Sequence, residues 1–370
     1  MIFLRLGAVA TAIWMVTAPL AADTLHFVGM AVLPSTAVAD GAKVGGLSGI
    51  DYDAKDDIFL AISDDKSEAA PARFLALKLD YDRTHVETPV ITATVFLRDA
   101  KGMTFPPPGT GSESLDSESL RRDPANDTLL ISTEGDTKDG FGPAIRRFSR
   151  QGALLGEFAL PPQLAFDPEQ KKGPRTNLSL EGLSFDRHGR VLWASMEAPL
   201  FQDGPVPSPE AGAPVRFLRR ENNRWRQYVY EVDPLHSGSA GRIADNGVSE
   251  ILALDNRHLL VLERSGIKQD DGDFHFFARL YCATTRGASD VSALTSLAGQ
   301  AYRPMKKKLL FDFAGLTAEP ADNVEGITWG RPLENGNRSL VLVTDNNFSS
   351  GHQTQFLVLE VQKGRPLCGA

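Results

Sequence analysis

Cysteine is almost missing from this chain: Cys282 and Cys368 are the two it has in 370 residues, so one disulfide is the most it can form. Beyond the N-terminus there is no apolar run approaching the roughly 20 residues a membrane-spanning helix needs. Basic tracts are lacking too, Lys306-Lys307-Lys308 being the one short run in a chain of formal net charge −8. That balance argues against nucleic acid as a partner. His-Glu-x-x-His, Gly-x-Ser-x-Gly, a phosphate loop and a dinucleotide fingerprint are all absent, and the seven histidines are scattered. Helical periodicity is weak throughout, which turns attention to strands.

The N-terminus has its own logic. Arg5 precedes an apolar stretch from Leu6 to Val16, and small residues follow up to Ala22. A positive charge, a short apolar core and a small-residue cleavage point describe a secretory signal peptide cut near Ala22. Residues 23–370 then form a single domain, periplasmic or secreted and expected to be monomeric. In such a compartment Cys282 and Cys368 can oxidise, although sequence alone does not bring them within bonding range.

One pattern recurs five times, at 45–65, 116–136, 178–199, 246–266 and 322–347. Each copy has a short alternating run, a turn rich in Asp, Asn or Gly, and a second apolar strand, which is the signature of a β-hairpin. Five hairpins about 60–75 residues apart read as a repeat architecture of four-stranded blades with long loops. The expected fold is an all-β β-propeller. Six blades, five visible and one degenerate, is the first count, with five or seven open. The strand at 25–33 is placed to close the ring against the C-terminal blade.

Acids mark both ends of these hairpins. Glu118, Glu181 and Glu325 begin three of them, with Ser48 at the equivalent place in the first copy and Ser249 or Glu250 in the fourth. Asp64, Glu134, Glu197, Glu263 and Asp345 finish the second strands, and the offset is 16 residues in the first three copies. A hairpin returns to where it began, so both positions reach the same end of the ring, as many as nine carboxylates about one channel mouth. Two like charges 4 Å apart repel by about 4 kcal/mol at an effective dielectric of 20. Such a ring needs bound protons, cationic partners or cations, and hard oxygen ligands in this number favour calcium. Arg146, Arg264 and Lys268 are the candidate cationic partners of an anionic substrate.

Leu-Ser-Gly-Ile-Asp-Tyr-Asp at 47–53, Glu118-Ser-Leu, Leu-Glu-Gly-Leu-Ser-Phe-Asp at 180–186 with Leu-Trp-Ala-Ser-Met-Glu at 192–197, and Asn-Val-Glu-Gly-Ile-Thr at 323–328 together resemble the phytase-like family, labelled "esterase-like activity of phytase". The resemblance implies an exported propeller that hydrolyses phosphoric esters with calcium. The resemblance makes Glu118, Glu181, Glu197 and Glu325 candidate ligands and Arg146 a candidate phosphate partner, and Glu181 and Glu325, in a shared Glu-Gly context, are also the candidate catalytic carboxylates. Asp64, Glu118, Glu134, Glu197, Glu263 and Asp345 are candidate ligands, and the expected substrate is a small anion such as a phosphate ester. Two alternatives stand beside it: a non-catalytic scaffold of the cell envelope with structural calcium, and a lactone or carboxylic ester hydrolase on the same metal plan.

Overall fold

The computed structural model describes residues 24–368 except 138, 168, 170, 237, 238, 240, 241, 271, 319 and 365; the expected signal peptide lies outside the described residues. The chain opens with β1 (Leu25–Leu33) and a small ribbon, β2 (Val38–Ala39) and β3 (Ala42–Lys43). Blade one is β4 (Leu47–Asp53), β5 (Ile58–Ser63), β6 (Arg73–Lys78) and β7 (Val90–Phe96). Blade two is β8 (Ser117–Asp123), β9 (Thr128–Thr133), β10 (Ala144–Phe148) and β11 (Leu154–Glu157). Blade three is β12 (Leu180–Phe185), β13 (Leu192–Met196), β14 (Ala213–Glu221) and β15 (Arg224–Val232). Blade four is β16 (Ala244–Ala253), β17 (His258–Lys268), β18 (Phe274–Thr284) and β19 (Lys306–Asp312). Blade five takes β20 (Asn323–Trp329), β21 (Arg338–Asp345) and β22 (Thr354–Val361) from the C-terminus, and β1 supplies its outer strand.

The protein is therefore a five-bladed β-propeller, one of the counts left open by the sequence and one fewer than the first count. The expected ring closure holds, with β1 antiparallel to β22 from Leu25 opposite Val361 to Leu33 opposite Thr354. No degenerate sixth blade exists among the described residues. Chain that could have formed one is used in loops instead: Val291 and Leu297 pack on Val229 of blade three.

The hairpin turns behave as their residues require. Asp57, Asp127 and Gly189 sit at positive φ, 51°, 50° and 67°, the conformation that tight β-turns demand and that Asp, Asn and Gly tolerate. The core lies between neighbouring blades. Leu60, Ile62 and Phe74 meet Leu120, Leu129 and Phe148, and Leu183, Trp193 and Phe217 meet Val248, Ile251 and Val261. Each fully buried Leu or Phe in these layers contributes about 1.5–3 kcal/mol. A disulfide joins Cys282 on β18 to Cys368, with Cα atoms 5.6 Å apart, and fastens the tail to blade four.

On the propeller axis the five inner strands meet around one side chain. Arg121 of β8 donates to the carbonyls of Leu183 (2.6 Å), Ile251 (3.2 Å), Ile327 (3.0 Å) and Ile50, one from each of the other four blades. Its charge is met by Glu250, 2.7 Å away and fully buried. This hub closes the channel from below, and the space above it is a blind cavity.

Candidate functional site: an acid cavity on the propeller axis

All five inner strands carry a β-bulge at the same level. The register against the second strand slips between Leu47 and Gly49, Ser117 and Leu120, Leu180 and Leu183, Val248 and Glu250, and Val324 and Gly326. A bulge bends its strand and re-aims a side chain. The re-aimed positions hold Ser48, Glu118, Glu181, Ser249 and Glu325. Glycine beside them lets the next blade approach: a Cβ on Gly49 would stand 2.7 Å from the Glu118 carbonyl oxygen, and one on Gly182 2.8 Å from Glu250 Oε1. Glu250 itself occupies this glycine position in blade four, which is why it points beneath the ring to Arg121 and not into it.

The second strands return to the same level. The amides of Asp64, Glu134 and Glu197 donate to the carbonyls of Gly46 (2.8 Å), Asp116 (3.0 Å) and Ser179 (2.7 Å). Asp345 lies opposite Asn323, and in blade four the matching pair is Gly247 opposite Arg264. Arg264 thus takes the place of a carboxylate in the ring, and the expectation for Glu263 is corrected by one residue. Because side chains alternate along a strand, Glu263 faces away. It accepts from the Tyr230 hydroxyl (2.6 Å), the Asp233 amide (3.0 Å) and Lys307 (2.6 Å).

The cavity encloses about 400 Å³. Of the residues singled out in the sequence, it gathers Asp64, Glu118, Glu134, Glu181, Glu197, Glu325, Asp345 and Arg264. It does not gather Arg146, whose guanidinium is held by Glu113 (2.7 Å) and Glu157 (2.9 Å) in a separate groove of blade two. Nor does it gather Lys268, whose ammonium stands 6.0 Å over the Phe274 ring beyond the rim. Ser48 and Ser249 have their hydroxyls on the carbonyls of Ser117 (3.1 Å) and Val324 (3.3 Å), as small packing residues do.

Six polar lining residues were missed: Asp116, Asp245, Lys66, Asn177, Asn323 and Asn347. Asp116 and Asn323 stand two residues before Glu118 and Glu325, the spacing that puts side chains on one face of a strand, and that signal was available. Lys66 had no such signal. The Asp65 carboxylate accepts from the amides of Glu68, Ala69 and Ala70 at 2.9–3.0 Å and from Arg73 at 2.6 Å. This clamp fixes the loop that brings Lys66 to Asp116, at 2.5 Å, and to Asn177, at 3.1 Å.

Nine carboxylates face two cations here, a formal charge of −7 if all are ionised. Burial, followed by repulsion from neighbouring acids, pushes Asp64, Glu118, Glu134, Glu181 and Asp345 well above the ordinary carboxyl range. Burial raises Glu197 to about 8, against the pull of Arg264. It raises Glu325 as well, with Arg264 and Asn323 opposing. Burial works against the Lys66 ammonium, but Asp116, Glu118 and Glu134 hold its pKa above the usual lysine value.

Two groups of three carboxylates each offer ligand oxygens within 4.8 Å of one another: Asp116, Glu118 and Glu134, and Glu134, Glu181 and Glu197. Glu134 belongs to both. These buried clusters could coordinate divalent ions, and the donor set, all carboxylate oxygen, is that of a hard cation. Asn323 Oδ1, buried at the cavity wall without a hydrogen-bond partner, is a further oxygen in need of a cation or a donor.

Comparison with known proteins adds a sequence family. A family model described as "Phytase-like: Esterase-like activity of phytase" matches residues 42–348. A search of curated proteins finds no match. Among solved structures, the chain is similar to the tail fiber of a Staphylococcus aureus phage, at 14% identity and TM-score 0.38, covering 92% of this chain and 53% of that one. It thus spans about half of that fiber's length. A mannose phosphorylase from Leishmania mexicana in complex with phosphate ion (10% identity, TM-score 0.38) is covered over 89% of this chain and 88% of the other. For an α-L-arabinofuranosidase from Podospora anserina in complex with cellotriose (9%, TM-score 0.38) the shares are 89% and 96%. TM-scores this low carry no functional argument.

Proposed function

The chain belongs to the Phytase-like family, and from that premise we propose that its acid cavity is the active site of a calcium-dependent hydrolase of phosphoric esters. The observation that carries the proposal is the pair of carboxylate groups sharing Glu134. Asp116, Glu118, Glu134, Glu181 and Glu197 would hold the cations, which supply charge neutralisation, polarisation of the ester and a more acidic water. Everything else falls to the chain. The Arg121 hub closes the floor, so substrate enters and product leaves by one mouth.

Glu325 lies outside both ligand groups and is the best placed general base. Its carboxyl is 3.5 Å from Arg264, which keeps an ionised form accessible despite burial. Hydrolysis adds the water oxygen to phosphorus and breaks the ester P–O bond. The proton that Glu325 takes from water ends on the departing alkoxide. Arg264, paired with Glu197 at 3.2 Å, keeps Nε without a partner and is, with Lys66, one of the two cations that line the cavity. An oxidising compartment, periplasmic or extracellular, suits the Cys282–Cys368 disulfide. N-terminal sequencing of the exported protein checks cleavage near Ala22.

A second reading has its own observation: both cavity cations are already tied to carboxylates, leaving no free cation for a phosphoryl group. A scaffold propeller with structural calcium fits that arrangement. Calcium-dependent phosphate release from a phosphomonoester panel, lost in Glu325→Gln with calcium stabilisation retained, supports the hydrolase. Stabilisation by calcium without turnover of any ester supports the scaffold.

A further inference from the structure

Blade four differs from the others in length. Its strands β16, β17 and β18 run for 10, 11 and 11 residues, and they continue past the ring level at Gly247 and Arg264. The extension stands over the cavity mouth as a wall. On it β18 loses its outer neighbour: β19 pairs only from Arg279 onward, so the edge from Phe274 to Ala278 is open among the described residues. Phe274 and Phe276 project from this stretch, ring centroids 6.2 Å apart and 18° from parallel. Opposite them is His352 of blade five, edge-on to Phe276 at 5.3 Å and held through Nδ1 by Asp322 at 2.8 Å.

These rings line a groove of about 450 Å³ whose other wall is Pro320, Ala321 and Gln355. The groove and the acid cavity share Phe274 and Phe276. Arg264 stands at the junction, its guanidinium 5.8 Å over Phe276. A ligand that reached both spaces would place a flat apolar group against the aromatic wall and a charged group at Arg264.

The charge of the cavity narrows the ligand further. With nine carboxylates against two cations, two divalent ions would leave a formal charge of −3 if every carboxyl were ionised. Each further phosphoryl group on a ligand adds repulsion from the carboxylates that remain charged, so a ligand with one is favoured over a polyol carrying many. Resting on the hydrolase reading above, we propose that the substrates are aryl phosphate esters, with the aromatic group in the groove of blade four and the phosphoryl group in the acid cavity. Polyphosphorylated polyols are poor ligands on the same grounds.

The test uses phenylphosphonate and methylphosphonate, which cannot be hydrolysed as esters, titrated calorimetrically into the mature protein with calcium. Phenylphosphonate should bind about tenfold tighter, the size expected of one ring-on-ring contact with its buried area. Phe274→Leu with Phe276→Leu should shrink that preference to about threefold or less. His352→Ala, which removes the ring packed edge-on against Phe276, should do the same and covers the case in which the double variant does not fold. Equal binding of the two phosphonates overturns the aryl subsite and leaves the hydrolase reading standing if esters are still turned over. A phenyl preference that depends on these residues, without hydrolysis of any ester, supports the subsite and removes the hydrolase reading alone. Faster release of phosphate from inositol hexakisphosphate than from phenyl phosphate overturns the proposal.

Discussion

At the scale of single residues, the contrast between Glu134 and Glu263 is the most informative. In the sequence both close the apolar run of a hairpin's second strand, yet Glu134 belongs to both carboxylate groups and Glu263, in the middle of the longer β17, is turned to Tyr230 and Lys307. Glu134→Gln should therefore abolish most of the calcium-dependent rise in melting temperature, whereas Glu263→Gln should leave that rise intact while lowering the baseline. Differential scanning fluorimetry with and without calcium reads both. Equal loss in the two variants would mean that the ring has been placed on the wrong residues. The same pair shows what sequence could and could not give. Offsets of 16 residues located Asp64, Glu134 and Glu197, but β17 runs unbroken through 263 and 264, so nothing in its apolar pattern marks the ring level. The bulge shared by all five blades fixes that level, and a bulge is a pairing event between strands with no composition of its own.

At the scale of elements, the five inner strands are tied together by Arg121 and Glu250. Removing one partner of a buried pair leaves a charge without compensation and costs about 3–5 kcal/mol, while replacing both by apolar residues is often near neutral. Arg121→Met should lose that much in urea denaturation. Adding Glu250→Met should recover only part of it, because four carbonyls from four blades stay without their donor. Full recovery would reduce Arg121 to a mere counter-ion. The hairpins and the closing strand β1 were legible because each is a local pattern of alternation and turn. Arg121 was not, since its meaning depends on carbonyls that lie 62 to 206 residues away. The first count of six, with five left open, has a related cause: a loop that packs on a finished blade and a degenerate blade look alike in sequence.

At the scale of the molecule, the acid cavity should set the pH dependence of stability. A carboxyl whose pKa is higher folded than unfolded binds more protons in the native state. Its contribution is fully present below the unfolded value and is lost as pH rises through the folded one. Glu197 of the cavity at about 8, joined by Glu250 of the hub beneath it at about 7, both raised chiefly by burial from 4.5, places that loss between pH 4.5 and 8. The calcium-free protein should melt progressively lower, by on the order of several degrees, from pH 5 to 8.5. Glu181→Gln should flatten the decline, since it replaces a buried acid with a neutral amide. A melting temperature that rises with pH across this window would contradict the assignment.

Cation binding must displace the protons that these carboxyls retain. The direct measurement is calorimetric titration of calcium into the purified protein near pH 7.5, repeated in buffers of different ionisation enthalpy. The account predicts saturable binding, release of protons to the buffer, and loss of both in Glu134→Gln. Absence of calcium binding, or binding that releases no protons and survives Glu134→Gln, would contradict the claim that the propeller axis holds a cation site.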